Sequence, residues 1–263
     1  MITAEVLHKS KCAWEGGYAT LRTFRLVYPA FIHPHVLTHR AFSRNTSSAR
    51  AIPAKKFARL VRENPATPMF WGKDCAGMKA HEQVDDVEAA KKWWIESCEA
   101  ALEQHRRGLE LGVHKEIVNR VLQPYQHVMV ILSATELANW DDQRLVGEGT
   151  QGETNLLAQA MRAADEEAIA VERDVHIPLV YPDEMTGIWE MDALASAARC
   201  ARVSFLLPSL PFQQEVEKGT GLVGKKHPSP FEHQAVEYNS FLHVQKDMRN
   251  YTGWVQQRAL LGM

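Results

Sequence analysis

An α+β fold, a mixed β-sheet packed with long α-helices, is predicted by three features of the chain. Over residues 20–28, TLRTFRLVY, Phe24, Leu26 and Tyr28 alternate with Arg25 and Val27 at the period of a strand, and Pro29, with no amide donor, ends it. Over residues 84–111, Val87, Trp94, Ile95, Cys98, Ala101, Leu102 and Leu109 recur at helical spacing, with Gly112 placed as a C-cap. Over residues 153–168, Leu156, Leu157, Ala160, Met161 and Ala164 share one face of another helix.

The remaining elements follow in order. A short helix begun by Pro34 comes after the first strand and leads into a polar loop at residues 38–50. Trp93 and Trp94 fall within the periodic stripe, so core or subunit-interface packing explains them better than cofactor stacking. A helix is expected over residues 114–122, limited by Pro124. VMVIL, residues 128–132, fits either a buried strand or a continuing helix core, which periodicity alone does not separate. Residues 170–191 are broken by Pro178, Pro182 and Gly187 and read as a connecting segment, and residues 234–245 have mixed strand character.

With 263 residues, 45% of them hydrophobic, the chain can bury a sizeable core. The formal net charge is -2, from 30 Lys+Arg against 32 Asp+Glu, which argues against a broad duplex-binding surface. Cys12, Cys75, Cys98 and Cys200 are widely spaced without a C-x-x-C pair, so neither a zinc site nor a disulfide framework is indicated; His33 and His35 have no second ligand pair, and no metal is expected. There is no signal-type apolar run, no membrane-length apolar stretch, no internal repeat and no low-complexity tract; a cytoplasmic protein is expected.

The densest chemistry lies in THRAFSRNTSSAR, residues 38–50. Arg40, Arg44 and Arg50 offer planar forks for bidentate phosphate binding, and Ser43, Asn45, Thr46, Ser47 and Ser48 offer short donors close to backbone. Because the cations are local, the ligand they suit is a small phosphorylated one. Ordinary loop and N-cap material beside solvated arginines would have the same composition.

This segment resembles the signature of flavin-dependent thymidylate synthases: Arg-His-Arg, seven residues, Ser, then Arg two positions on. Here His39, Arg40, Ser48 and Arg50 match, and Thr38 stands at the first Arg. Three more blocks resemble the family. They are SATELANWDDQR (residues 133–144), ARVSF (residues 201–205) and HPSPFEH (residues 227–233). In the family the last two precede the arginine signature; here they follow it, so the resemblance implies a circularly permuted order, with residues 170–191 bridging the older termini. About twenty extended residues reach on the order of 60 Å, so distance permits the bridge; fusion of fragments, or duplication with loss, gives the same order. Since the blocks lie at both ends and in the middle and must converge, one domain over residues 1–263 is expected.

The resemblance implies an FAD-dependent methyltransferase that methylates dUMP to dTMP, with methylenetetrahydrofolate and NADPH as co-substrates, in a homotetramer whose sites draw on several subunits. Carried over residue by residue, Ser48, Arg50 and, more loosely, Arg120 would bind dUMP, and Arg144 would hold the uracil edge. His39 and Arg40 would line the flavin and folate face; Ser204, Ser229, Glu232 and Asn139 would hold FAD. Arg144 and His39 are the candidate catalytic pair. Ser229-Pro230-Phe231-Glu232 also fits a plain helix N-cap with Pro at N1, and His227 and His233 fit structural hydrogen bonding. Thr38 replaces a family Arg, and Ser133-Ala134-Thr135 replaces Asn-Ala-Arg; Arg44 or Arg258 is the candidate to restore the lost charge. Three other functions remain open: a related flavin and folate enzyme that installs a hydroxymethyl group or acts on dCMP, a noncatalytic nucleotide-binding paralogue, and single-stranded nucleic-acid binding through Arg40, Arg44 and Arg50, against which the net charge argues.

Overall fold

Two long strands, β1 (Thr3–Trp14) and β2 (Gly17–Pro29), form an antiparallel hairpin that closes through Glu15-Gly16, with φ of 44° and 79°. Positive φ at both turn positions matches the twist of the flanking strands, and glycine takes it without strain. The computed structural model describes residues 1–77, 79–145, 150–205, 210–238 and 247–263. Along the chain come α1 (His33–Leu37), β3 (Ser43–Thr46), α2 (Ala54–Glu63), α3 (Val87–Glu110), α4 (Lys115–Val118), β4 (His127–Ala134), α5 (Ala138–Arg144) and α6 (Gly152–Glu167). The later part holds β5 (Val171–Glu172), β6 (Val175–His176), α7 (Trp189–Ala201), α8 (Phe212–Gly224), β7 (Ala235–Glu237), β8 (Trp254–Gln256) and α9 (Gln257–Leu260).

One sheet has the order β3-β4-β2-β1-β5, antiparallel except for the parallel β1–β5 pair, and a second has the order β6-β7-β8. The mixed sheet expected of an α+β fold is present. VMVIL resolves as a central strand because β2 and β3 both supply ladder partners to β4. Phe24, Leu26 and Tyr28 on β2, with Val128, Val130 and Leu132 on β4, bury one sheet face against Trp140 of α5 and Leu157 and Met161 of α6. On the other face Ile131 meets Cys200 and Val203, next to α7. The helical stripe predicted over residues 153–168 is therefore the one that covers the core.

Three expectations need correction. Helix α3 ends where predicted, with Gly112 at φ 76° just past its cap, but its buried stripe is Cys98, Leu102 and His105. Trp93 is 62% exposed and Ile95 lies at the surface, so the first half of α3 overhangs the core, while Trp94 donates to the Ala66 carbonyl (2.9 Å). The second helix is only α4, followed by a 3-10 helix over Asn119–Tyr125 that contains Pro124 rather than stopping before it; each 3-10 bond spans one residue fewer, so a proline is accommodated near its end. Ser229 is no N-cap: Ser229–Glu232 is a single 3-10 turn preceded by Pro228, without a capping side chain. Residues 170–191 contribute β5 and β6, and the strand expected over residues 234–245 appears as β7, with residues 239–245 outside the described residues.

A chain of buried polar side chains joins the two sheets. Ser10 Oγ lies 3.0 Å from His176 Nδ1, His176 Nε2 2.8 Å from Thr23 Oγ1, Thr23 Oγ1 2.6 Å from Ser133 Oγ, and Ser133 Oγ 2.8 Å from His233 Nδ1. All five residues are fully buried. Ser133 is thus committed to the interior, which explains a short hydroxyl where the resembling family has Asn. Among the described residues, no helix is long and apolar enough to cross a membrane.

Candidate functional site

The start of the arginine signature is shaped by α1. Thr38 ends the helix by donating from Oγ1 to the His35 carbonyl (2.7 Å), and Arg44 Nη1 reaches back to the carbonyls of Val36 and His39 (2.9 Å each). Arg44 therefore ties down the loop instead of projecting into open space. That loop buries His39 between Phe42, stacked at 5.6 Å, and the edge of Trp140 at 4.7 Å. Arg144 Nε donates to His39 Nε2 at 3.4 Å, and the Asn139 amide lies 3.4 Å from Nδ1. An imidazole nitrogen that accepts from a guanidinium carries no proton, so His39 is neutral there. Burial, then the charges of Arg144 and Arg44, hold its pKa below the ordinary value. His39, Asn139 and Arg144 are thereby brought together, while Arg40 is exposed beside them.

A second cluster stands at the opening of β3. Glu232 pairs with Arg258, and Tyr251 donates from its hydroxyl to the Glu232 carbonyl (2.6 Å). Burial raises the Glu232 carboxyl pKa, opposed by Arg258, by a hydrogen bond from Ser43 and by Arg44. Arg44 thus borders both Glu232 and His39 and joins this cluster to the first. Gln256 Nε2 donates to Ser43 Oγ (3.0 Å) and to Asn250 Oδ1 (2.8 Å), and Asn250 donates to the Ala41 carbonyl (2.8 Å). Ser229 is half-buried on the same turn as Glu232. Arg258 Nε, Gln256 Oε1 and Asn45 Oδ1 are buried without a protein partner among the described residues. Unspent donors and acceptors of this kind suit the hydroxyls and phosphates of a dinucleotide such as FAD. Asn250, Tyr251 and Gln256 escaped the sequence reading; the mixing of amides with aromatic residues in NYTGWVQQR was the available signal.

Five residues further along, the signature makes a third cluster. The Ser48 amide donates to Ser204 Oγ (2.8 Å), which brings two predicted ligands from distant blocks into contact. Arg50 and Arg120 each place a guanidinium nitrogen 3.7 Å from Glu116 Oε1, and with 72% and 61% of their side chains exposed they remain open to a ligand. Asn119 Nδ2 fixes the backbone under Arg50 through the carbonyls of Ala49 (2.7 Å) and Ile52 (3.1 Å). At strand rise, the path from Ser43 to Ser48 spans up to roughly 16 Å. No hydrogen bond or ion pair among the described residues links Ser48, Ser204, Arg50 and Arg120 to His39, Asn139, Arg144, Ser229 and Glu232, so within one chain they form two groups.

Arg144 also faces a cavity of about 970 Å³, walled by Phe31, His35, Phe70 and Trp94. Pro68, Gly72, Ala80 and His81 line it too, and backbone bonds from Lys73 to Glu82 and from Val84 to Trp71 (2.8 Å each) hold the stretches on either side together. Glu153 pins the segment at Met69 to α6 by accepting its amide at 2.7 Å. Among the described residues no cluster of His, Cys, Asp and Glu is arranged to hold a metal ion.

No family model matches the chain, and no curated protein matches it in sequence. Solved structures do. The UMP/dUMP methylase PolB from Streptomyces cacaoi bound with 5-Br UMP shares 19% identity, with 64% of this chain and 89% of that chain covered at a TM-score of 0.50. The same enzyme bound with 5-Br dUMP aligns over 56% of this chain and 67% of that one, at 19% identity and a TM-score of 0.44. At such identity the first likeness speaks for the fold alone.

Proposed function

We propose that this chain is a flavin-dependent thymidylate synthase, which reductively methylates dUMP to dTMP using methylenetetrahydrofolate and NADPH and has a permuted chain order. The observation that carries this reading is the meeting of residues from separate blocks: His39 with Asn139 and Arg144, and Ser48 with Ser204. The likeness of the fold to a UMP/dUMP methylase adds support.

Bound FAD would supply redox chemistry for the one-carbon unit; Ser229, Glu232, Ser204 and Asn139 would hold it, with His39 and Arg40 along its face. The chain itself would supply charge and position. Arg144 would donate a charge-assisted hydrogen bond to the pyrimidine oxygen on which negative charge develops, worth roughly 1.5 to 3 kcal/mol. Neutral His39 fixes the Arg144 guanidinium by accepting from Nε, leaving the two terminal nitrogens for the ring. Arg50 and Arg120, spread about Glu116, would grip the phosphate, and the buried Ser204 hydroxyl orders the Ser48 loop beneath it. Because the two groups stand apart within one chain, each pocket would be completed by a neighbouring copy, in a homotetramer.

The test is direct. Purified protein should be yellow or become so with FAD, and should release tritium from dUMP labelled at carbon 5 when methylenetetrahydrofolate and NADPH are present. A hydroxymethyl product, read by mass, would point to the related hydroxymethylase. One observation favours the noncatalytic alternative: Thr38, Ser133 and Thr135 are each hydrogen-bonded within the chain, Thr38 to the His35 carbonyl, Ser133 in the buried network, and Thr135 by accepting the Thr252 amide at 3.0 Å. Protein that stays colourless with added FAD and still binds dUMP would decide for that alternative.

A further inference from the structure

We infer that Asn119, backed by His105 of α3, is a positioning residue that sets Arg50 against Arg120 as the two arms of one phosphate grip. The inference rests on the preceding reading only in giving those arginines to a phosphate.

Side-chain chemistry fixes the orientation of the pair. Asn119 Nδ2 lies 2.7 Å from the Ala49 carbonyl and 3.1 Å from that of Ile52, two acceptors that only the amide nitrogen can serve. Its Oδ1 is therefore turned to His105 Nε2 at 3.0 Å, and as an acceptor it requires the imidazole proton to sit on that nitrogen. Asn119 thus gives its amide hydrogens to the backbone that flanks Arg50 and takes its own support from α3. Asn119 is fully buried, and His105 is only 2% exposed.

Packing alone would not select this pair. Ala49 and Ile52 share a buried cluster with Cys98, Leu102 and Leu122, where an apolar side chain would avoid the cost of desolvating an amide and an imidazole. Nor does the turn need them in order to close, because the Ala51 and Ile52 amides donate to the Ser48 carbonyl at 2.9 and 3.2 Å. What Asn119 adds is registration. Arg120 follows it directly in the chain, so the residue that holds the Arg50 turn is joined by one peptide bond to the second arginine. Lys115 Nζ makes a further tie, to the Ala51 carbonyl at 3.0 Å. Both guanidiniums lie 3.7 Å from Glu116 Oε1 while their side chains stay largely exposed, so the backbone beneath them fixes their spacing. Two cations held at a set spacing bind a phosphate without first having to be ordered.

Calorimetric titration of the full chain with dUMP and, separately, with inorganic phosphate tests this role. Asn119→Ala should weaken both ligands about tenfold. Should that variant fail to fold, the His105 pair carries the same test. His105→Leu removes the donor and should weaken both ligands about fivefold, whereas His105→Gln, which keeps an amide donor, should stay within about twofold of wild type. A loss that acts through Arg50 disappears once Arg50 is gone, so His105→Leu should change neither affinity in an Arg50→Ala background. General loosening of the fold would persist there. If His105→Leu binds both ligands as tightly as wild type does, or weakens them as much in Arg50→Ala protein, the inference falls while the thymidylate synthase reading stands. If phosphate binding responds as expected and dUMP fails to bind even the wild type, that reading falls and the positioning role stands. Protein that binds neither ligand overturns both.

Discussion

Arg144 illustrates how one side chain takes its task from its neighbours. Its Nε is turned inward to a neutral imidazole at 3.4 Å, which orients the fork that the nucleotide would meet. Lysine would keep the charge but offer neither the inward bond nor the paired outward donors. Arg144→Lys should therefore weaken dUMP binding by about tenfold or more, the scale of one lost charge-assisted hydrogen bond, in a calorimetric titration; an unchanged affinity would remove Arg144 from the site. The type of residue was legible along the chain, whereas its partner was not, because His39 lies 105 positions from Arg144. Arg44 shows the converse. A third arginine of the signature looks like a ligand in sequence, yet its Nη1 is held by the carbonyls of Val36 and His39 around the end of α1.

At the scale of elements, close approach decides more than propensity. Gly253 has φ of 72°, and a Cβ there would lie 2.5 Å from the Ala19 Cβ, so the segment leading into β8 docks on β2 only as glycine. Gly253→Ala combines left-handed strain with a clash against the Ala19 methyl, and should cost about 2 to 3 kcal/mol in denaturant unfolding. Trp140 on α5 is fully buried against both His39 and Phe42, so Trp140→Ala should cost about 3 to 5 kcal/mol and loosen His39 as well. Strand β2, α3 and α6 were legible because their periodicity reflects which face is buried. Strand β1 was missed: HKSK breaks its alternation with charges that the edge-side β5 pairing and Asp165 accommodate, Lys9 lying 2.9 Å from that carboxylate. The apolar spacing of α3 also overstated its burial, since Trp93 and Ile95 repeat at helical positions without a covering layer.

For the molecule as a whole, the two sheets are held by histidines that must stay uncharged. Burial pushes His233 down to about 3 and His176 well below its ordinary value, against about 6.5 unfolded. The unfolded chain then binds more protons between those limits, so stability rises with pH there: it is complete above pH of about 6.5 and is lost as pH falls towards 3. Between pH 6.5 and 5 each histidine should cost about 2 kcal/mol, and urea midpoints should fall accordingly; His233→Asn should flatten that slope, and an unaltered slope would acquit the network. The second prediction at this scale concerns assembly. Arg50→Ala and Arg144→Ala, each inactive alone, should regain about a quarter of wild-type activity when co-refolded in equal amounts, the statistical share of pockets with both arginines intact. Mixed oligomers without activity would place each pocket within one chain. By itself the sequence determined the α+β class, the principal helices and the central strand β2, and the polar residue types of the site, because burial periodicity and side-chain chemistry are local properties. Only the tertiary structure decided which residues meet: it joined Ser48 to Ser204, set Ser133 into the core, spent Arg44 on a helix end, and divided the predicted ligands between two ends of β3. Apart from Arg44, whose carbonyl partners lie within eight positions, those outcomes depend on contacts between segments a hundred or more positions apart, and a local pattern carries no record of them.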